Sequence, residues 1–177
     1  FNAPAGKYGL VELSTRYGDC LMPEIITVDV KELKRKKIMK DTLFSPLLVE
    51  KVREALSRGE QAILFQNRRG FAPMIECRGC GWVPHCVNCD VSLTYHKAHN
   101  QLVCHYCGYT YRLPQVCPEC KGTEFKMQGF GTEKVEEEIA GQFPAAKVER
   151  LDFDTARTRT AYERIISDFE KGKTQIL

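Results

Sequence analysis

Eight of the nine cysteines in this chain form four Cys-x-x-Cys pairs. The pairs are Cys77/Cys80, Cys86/Cys89, Cys104/Cys107 and Cys117/Cys120. A gap of two residues lets a tight turn present both sulfurs to one ion, so each pair can supply half of a tetrahedral thiolate shell. Four pairs with one spacing therefore predict two four-cysteine zinc sites. Because four thiolates leave no position for water, the zinc is expected to be structural.

The spacers indicate which pairs share an ion. The segment between Cys89 and Cys104 has the pattern of two short strands around a turn, and such a hairpin brings its two ends together. This favours a nested arrangement, with an outer zinc 1 and an inner zinc 2. The outer ligands are Cys77, Cys80, Cys117 and Cys120, and the inner ligands are Cys86, Cys89, Cys104 and Cys107. Sequential pairing stays open, because the five residues between Cys80 and Cys86 could also wrap one ion.

Two other uses of paired cysteines are less compatible with the sequence. A disulfide framework is typical of small secreted chains, whereas this chain has 177 residues, helix and strand patterns on both sides of the cysteines and no secretory apolar segment. A redox pair needs a thiolate at a helix start, and these pairs lie among Gly, Pro and Tyr. Cys20 has no partner in sequence and is expected to be a buried, inert thiol.

Alternating helix and strand patterns flank the cysteines. Ser45 as N-cap, Pro46 at the first helical position and Gly59 as a stop predict an amphipathic helix. The other predicted helices cover 133–142 and 158–171, and the predicted strands cover 8–13, 24–30, 61–65, 124–128, 146–151 and 174–177. Tyr162, Ile165, Ile166 and Phe169 are predicted core residues. The alternation predicts an α/β fold, a parallel sheet interrupted by a small zinc module that contains a β-hairpin.

Two turns in these flanks could contact phosphate. Asn67-Arg68-Arg69-Gly70 follows a predicted strand, where α/β sheets bind ligands and guanidinium groups suit phosphate; the alternative is a solvated turn. Gly129-Phe130-Gly131-Thr132 predicts a turn and N-cap before the next helix. Acidic residues in the first turns of that helix complement its dipole and make it a poor phosphate site.

The module also concentrates the aromatic and imidazole side chains. The aromatics are Trp82, Tyr95, Tyr106, Tyr109 and Tyr111, and the histidines are His85, His96, His99 and His105. Exposed aromatics could stack on unpaired bases or contact a protein partner. The alternative is that they pack against the cysteine turns, because so small a module has no other core. With both thiolate shells complete, the histidines need not be ligands.

Composition sets wide limits on function. A net charge of +3 neither demands nor excludes nucleic acid, and no apolar run approaches the ~20 residues that span a bilayer. The chain begins at Phe1 without an initiator Met and ends on an apolar run, Thr174–Leu177, so we expect a piece of a longer protein.

The sequence resembles the bacterial primosomal protein N′ (PriA) family of superfamily 2 replication-restart DNA helicases. The resemblance lies in Phe65–Pro73 leading into Cys77-x-x-Cys80-Gly81-Trp82, in the other three pairs, in Gly129–Lys134 and in Asp152-x-Asp154-Thr155. It implies the nested arrangement of two Zn²⁺ ions. It also implies four segments: 1–40, the end of helicase lobe 1 or an interlobe linker; 41–76, the start of a RecA-like lobe 2; 77–120, the zinc-binding insert; and 121–177, the continuation of lobe 2.

The same resemblance implies a cytoplasmic, ATP- and Mg²⁺-dependent 3′-to-5′ helicase that recognises stalled forks and initiates primosome assembly. The implied partners are forked and single-stranded DNA, primosome proteins, the loading machinery of the replicative helicase and single-stranded DNA-binding protein. The chain itself has neither a Gly-x-x-x-x-Gly-Lys-Ser/Thr loop nor an Asp-Glu-x-His box, so we expect no ATPase activity from it and assign no catalytic residue.

Two functions without helicase activity remain as alternatives. One is a stand-alone zinc-ribbon module that binds nucleic acid or protein without catalysis. The other is a chaperone-type cysteine-rich module, which also carries four pairs. Such modules repeat Cys-x-x-Cys-x-Gly-x-Gly, and none of the four pairs here is followed in that way.

Overall fold

The computed structural model describes residues 2–39 and 42–177, so the predicted boundary at residues 40 and 41 lies outside the described part. The α-helices are α1 (Val30–Arg35), α2 (Pro46–Ser57), α3 (Thr132–Gln142) and α4 (Arg159–Glu170). The strands are β1 (Met74–Cys77), β2 (Thr94–His96), β3 (Gln101–Val103), β4 (Thr110–Arg112) and β5 (Phe125–Gln128). No helix within 2–39 and 42–177 is both long and apolar enough to cross a bilayer.

The amino-terminal segment contains less regular structure than its sequence suggests. The strands predicted at 8–13 and 24–30 are wrong: neither segment pairs with another strand within 2–39 and 42–177, and α1 begins at Val30. Alternating apolar residues stabilise a strand only when a neighbour takes its backbone hydrogen bonds and covers one face. Here Val11 and Leu13 are 83% and 91% exposed. Cys20 is exposed as well, so the expected burial of its thiol is wrong.

Helix α2 forms as its end signals predict. The Ser45 hydroxyl accepts a hydrogen bond from the Leu48 N–H at 3.2 Å, and Pro46 occupies the first turn. Gly59, with a φ of +75°, follows the helix end. The helix buries Val52 in an apolar cluster, here called the flank cluster, whose buried members are Phe44, Val52, Ile139, Phe143 and Ile176. These residues come from both sides of the cysteine-rich segment, so the two flanks share one core.

Three predicted strands of the flanks meet in parallel, but only over single bridges. Ile176 pairs with Ala62 on one side and Val148 on the other, both in parallel. The Leu64 N–H donates to the Leu177 carbonyl at 2.8 Å, and the Glu149 N–H donates to the Ile176 carbonyl at 3.0 Å. The order and direction are those of a parallel sheet, whereas the extended sheet expected from the sequence is not formed by the described residues.

Strand β5 was expected in that parallel sheet, and this expectation is wrong. It pairs antiparallel with β1, with Ile75 opposite Met127 and Cys77 opposite Phe125. The two strands are the entry and exit of the cysteine-rich segment, and a chain that leaves and returns at one place runs in opposite directions there. The pair forms a two-stranded ribbon at the base of the module.

The module has a three-stranded antiparallel sheet of its own, in the order β2-β3-β4. The hairpin expected between Cys89 and Cys104 is confirmed as β2 and β3, and β4 extends it. A second buried group, here called the module cluster, consists of Ala72, Ile75, Cys86, Leu93, Tyr95, Leu102 and Cys104. Two cysteines belong to this core, so the metal-binding turns and the packing of the module depend on the same residues.

Each of the last two helices buries one isoleucine. α3 buries Ile139 in the flank cluster. Helix α4 begins at its predicted cap, where the Thr158 hydroxyl accepts from the Ala161 N–H at 3.2 Å. Ile165 is 1% exposed, as predicted for a core residue, whereas Tyr162 is 50% exposed, so its predicted core position is wrong.

Candidate metal centres

Each Cys-x-x-Cys pair folds into the same backbone turn. In the first turn, the Cys77 N–H donates to the Trp82 carbonyl at 2.8 Å, and the Cys77 carbonyl accepts from the Gly81 N–H at 2.9 Å. The turns that begin at Cys86, Cys104 and Cys117 repeat both hydrogen bonds at 2.8–3.0 Å. Satisfying the backbone groups locally leaves the two sulfurs of each pair free to point to one side.

A left-handed residue follows the second cysteine of every pair. These residues are Gly81, Asp90, Gly108 and Lys121, with φ between 52° and 76°. Glycine reaches this region without strain, and it occupies two of the four positions. The left-handed residue reverses the chain directly after the second sulfur. Spacing alone does not reveal this requirement, since Asp90 and Lys121 do not look like turn glycines.

The inner group of sulfurs consists of Cys86, Cys89, Cys104 and Cys107, whose ligand atoms all lie within 4.8 Å of one another. The β2–β3 hairpin brings the two pairs together, and the sulfurs of Cys86 and Cys107 are 3.6 Å apart. The Val87 N–H donates to the Tyr111 hydroxyl at 2.8 Å, so β4 holds the first of these turns in place.

The outer group consists of Cys77, Cys80, Cys117 and Cys120, again within 4.8 Å. The β1–β5 ribbon brings its two pairs together. The sulfurs of Cys77 and Cys120 are 3.5 Å apart, and those of Cys80 and Cys117 are 3.7 Å apart. Gly79 and Gly122 lie against this group: a Cβ at either position would stand 3.2 or 3.3 Å from the Cys120 sulfur.

The sulfur separations fit a four-coordinate zinc ion. Zn–S bonds of ~2.3 Å place the sulfurs of a regular tetrahedron roughly 3.8 Å apart. Three distances between sulfurs of different pairs are 3.5, 3.6 and 3.7 Å, and all sulfurs of a group lie within 4.8 Å of one another. All nine cysteines lie in the described part of the chain and are free thiols. The structure therefore groups the eight cysteines as the nested arrangement requires, and each group could hold a metal ion.

The thiols within each group differ in acidity. The backbone N–H of Cys80 lowers the pKa of Cys77 to about 7, and that of Tyr109 lowers the pKa of Cys107 to about 6. The Cys107 thiol and burial raise the pKa of Cys89 to about 12. One thiol of each group is thus ready to ionise near neutral pH. A divalent cation supplies the positive charge that ionises the others.

A third group of potential ligands lies between the module and the flank, at His96, His105 and Asp154. His96 is nearly buried; its Nδ1 lies 2.6 Å from Glu133 Oε1, and its Nε2 lies 2.9 Å from His105 Nε2. Burial and the neighbouring Arg69 lower the pKa of His105 to about 4. Cysteine spacing does not predict this group, because the eight paired cysteines complete two thiolate shells without a histidine ligand. The available signal is that His105 directly follows Cys104.

The first backbone amides of α3 donate to carbonyls of the turn that precedes β1. The N–H groups of Gly131, Thr132 and Glu133 donate to the carbonyls of Phe71, Arg68 and Gly70 at 2.8–3.2 Å. These are the amides that a phosphate would use, so the prediction that this turn is a poor phosphate site agrees with the geometry. The N-cap is Gly131, and the predicted capping by Thr132 is wrong: its hydroxyl donates to Asp152 Oδ2 at 2.6 Å.

The arginines of the preceding turn have different surroundings. Arg69 lies 4.0 Å from Asp154 and stacks over Phe153 at 5.1 Å. These two contacts hold its side chain against the protein, so Arg69 is not a solvated turn residue. Arg68 lines a polar groove of about 520 Å³ together with His105 and Tyr106. Tyr106 is 82% exposed, whereas Tyr95 is buried in the module cluster. The aromatics therefore divide between packing and exposure.

Comparison with known proteins finds relatives that share one name and align with 99% of the chain. Residues 86–112 match the family model of the PriA DNA helicase Cys-rich region (CRR) domain. The chain is 42% identical over 175 residues to replication restart protein PriA of Bacillus subtilis, covering 99% of the chain and 22% of that protein. The proteins of the same name from Haemophilus influenzae and Chlamydia muridarum are each 37% identical, over 176 and 178 residues; 99% of the chain aligns with 23% and 24% of them. The resemblance inferred from the motifs is confirmed, and the chain spans under a quarter of these relatives.

Proposed function

Since 99% of its length is similar to a segment of PriA replication restart proteins, we propose that this chain is part of such a protein and contributes its structural two-zinc module. The observation that carries the proposal is the pair of four-cysteine groups, nested one inside the other and sized for Zn²⁺. Soft thiolate ligands favour zinc over calcium or magnesium.

The ligand sets follow from the two groups. Zinc 1 binds Cys77, Cys80, Cys117 and Cys120, and zinc 2 binds Cys86, Cys89, Cys104 and Cys107. Both ions act by stabilising the module, because closed thiolate shells leave no open coordination position. Residues 77–120 are the insert that these ions hold together.

The flanks belong to one RecA-like lobe in this proposal, the second helicase lobe, with 41–76 as its start and 121–177 as its continuation. The flank cluster supports this, because it joins α2, α3 and the Ile176 segment across the insert. The parallel pairing of Ile176 with Ala62 and Val148 gives the strand direction that such a lobe requires. Residues 1–40 are then the end of lobe 1 or the linker between the lobes.

The activity belongs to the longer protein. We propose an ATP- and Mg²⁺-dependent 3′-to-5′ DNA helicase of the cytoplasm that recognises stalled forks and starts primosome assembly with primosome proteins, the helicase loader and single-stranded DNA-binding protein. The module supports unwinding and partner binding. The 177 residues contain no phosphate loop and no Asp-Glu-x-His box, so this chain alone is expected not to hydrolyse ATP.

Metal analysis of two double variants tests the ligand sets. The wild-type chain is expected to hold two zinc ions. Cys86→Ser with Cys104→Ser removes ligands from one site in the nested arrangement, leaving one zinc, but damages both sites in the sequential arrangement. Cys77→Ser with Cys86→Ser has the opposite effect. Cys20→Ser is the matched control and is expected to keep both ions.

ATP hydrolysis by the longer protein tests the activity. Hydrolysis that rises on addition of forked DNA, with none from the 177-residue chain alone, supports the helicase proposal. A zinc-containing longer protein without DNA-dependent hydrolysis would overturn it.

A stand-alone binding module is the second candidate function, and the exposed Tyr106, which lines the same groove as Arg68, favours it. An aromatic ring next to a guanidinium can hold one unpaired base and its phosphate. Single-stranded DNA binding by the chain, lost in Tyr106→Ala, together with a longer protein inactive as an ATPase, would support this candidate over the helicase.

A further inference from the structure

The group formed by His96, His105 and Asp154 joins two parts of the fold. His96 ends β2, and His105 lies in the inner cysteine turn, so both imidazoles belong to the module. Asp154 comes from the flank, between Val148 and α4. One potential ligand atom from each residue lies within 4.8 Å of the other two. The three side chains therefore converge across the junction of module and flank.

The donor set suits a divalent transition metal. Two imidazole nitrogens and one carboxylate oxygen are ligands that zinc takes at ~2.0–2.2 Å, and three protein ligands leave a position for solvent. The Nε2 atoms of His96 and His105 are 2.9 Å apart. Tetrahedral Zn–N bonds of ~2.05 Å require roughly 3.3 Å, so the rings need to separate by only about 0.4 Å to hold an ion between them.

The surroundings of His96 resemble the outer shell of a metal site. Glu133 accepts from His96 Nδ1 at 2.6 Å, which leaves Nε2 to face His105. The other Glu133 oxygen accepts from the Lys97 N–H at 3.0 Å, so the carboxylate is itself held in place. A carboxylate that orients a histidine in this way is typical of histidine-ligated zinc sites.

Asp154 supplies an oxygen, Oδ2, that the rest of the described chain leaves without a hydrogen bond; His96 Nδ1 lies 3.9 Å from it. Its Oδ2 is buried and has no hydrogen-bond partner among the described residues. Its Oδ1 accepts from Arg157 at 3.3 Å. A buried carboxylate oxygen without a partner costs free energy, and a cation at this position would remove that cost.

Charge and access also permit an ion. The three carboxylates of Glu133, Asp152 and Asp154 face three guanidinium groups within 4.0 Å, those of Arg69, Arg150 and Arg157. Glu136, 3.6 Å from Arg150, adds a fourth carboxylate, so acidic groups are in excess. His105 lines the groove of about 520 Å³ at the module surface, which gives the group a route from solvent.

We propose that His96, His105 and Asp154 bind a third divalent cation of the zinc class, which fastens the cysteine-rich module to the flank. Glu133 orients His96 from outside the coordination shell. The ion is distinct from the two thiolate-bound zinc ions, because it has nitrogen and oxygen ligands.

A cobalt titration of the 177-residue chain tests the third site. The chain is first given two equivalents of Zn²⁺, which the thiolate groups take ahead of the nitrogen and oxygen ligands, and Co²⁺ is then added. Visible d–d absorption that saturates at one equivalent, without the near-ultraviolet thiolate-to-cobalt charge-transfer bands, is the expected result. Cobalt that binds only with thiolate bands has displaced zinc from the cysteines and contradicts the proposal.

Substitutions assign the spectrum to residues. His105→Ala and Asp154→Asn are expected to abolish the saturable cobalt spectrum, and Glu133→Gln is expected to weaken cobalt binding by roughly 10–100-fold. His99→Ala is the matched control, because His99 is exposed and lies three residues from His96. A one-equivalent spectrum that survives in His105→Ala overturns the proposal and leaves the two imidazoles joined by a hydrogen bond alone.

Two further measurements distinguish failure of the proposed function from failure of the third site. A chain that binds fewer than two zinc ions contradicts the proposed function, while the thiolate-free cobalt spectrum still decides the third site. Ring-proton NMR of the cobalt-loaded wild type needs no variant to fold. Large paramagnetic shifts are expected for His96 and His105 and not for His99, and their absence contradicts the proposal.

Discussion

Gly131 lies where two stretches of backbone almost touch. A Cβ at this position would stand 2.2 Å from the Gly70 carbonyl oxygen and 2.4 Å from that of Arg69. Neither atom can turn aside as the end of a flexible side chain can. The absence of a side chain at Gly131 is what lets the first amides of α3 reach the turn before β1.

Gly131→Ala is therefore expected to destabilise the chain by about 3 kcal/mol, the upper end of the usual cost of overpacking, because backbone must move. Gly141→Ala is the control within the same helix: nothing lies within 4 Å of its added Cβ, and alanine favours the helix by up to ~1 kcal/mol. Urea unfolding followed by circular dichroism measures both. Equal effects of the two substitutions would contradict the close contact at Gly131.

The helices and strands of this chain differ in how far away in sequence the residues that determine them lie. The cap and stop of α2 lie within 15 residues, Ser45 to Gly59, so its bounds were predictable. The partner of β5 is β1, about 50 residues earlier, and nothing in residues 124–128 distinguishes an antiparallel ribbon from a parallel sheet. Residues 8–13 have the composition of a strand but no neighbour to pair with among the described residues.

Removal of the α2 cap has a defined expected cost. Ser45→Ala leaves the Leu48 N–H without its side-chain acceptor in a nearly buried position and is expected to lower the free energy of unfolding by about 1 kcal/mol. Ser57→Ala, at the exposed other end of the same helix, is expected to change it by less than ~0.5 kcal/mol. Thermal or urea unfolding of both variants distinguishes loss of the cap from a general effect of removing a serine hydroxyl from this helix.

The candidate sites also differ in whether residues close in sequence or distant in sequence form them. The cysteine spacing and the hairpin between Cys89 and Cys104 are local, so the two groups of four could be anticipated from sequence. The group of His96, His105 and Asp154 spans about 60 residues and depends on how module and flank meet. Burial of a single carboxylate oxygen, which draws attention to Asp154, has no sequence signature at all.

The residues that the structure describes form two separate apolar cores. The module cluster contains Cys86 and Cys104, whereas the flank cluster, built from residues such as Val52 and Ile139, contains no cysteine. Loss of metal therefore removes support from one core and not from the other. The two parts are expected to unfold in separate steps.

Hydrogen exchange with and without a chelator checks this expectation. In the zinc-loaded chain the Tyr95 amide, which donates to the Ala72 carbonyl at 2.8 Å, is expected to be protected, and chelation is expected to abolish that protection. The Val52 amide in α2 is expected to stay protected. Protection that is lost at both positions together would show one cooperative unit in place of two.

The β1–β5 ribbon also determines how the module is joined to the rest of the chain. Met74 lies opposite Gln128, so the ends of the intervening segment are as close as neighbouring strands, about 5 Å apart. A long segment whose ends already meet adds little strain to its host, and each doubling of its length costs only ~0.6 kcal/mol in closure entropy. The surrounding fold can therefore accept insertions of very different size at this point, or a short turn in their place, without changing the path of its own backbone.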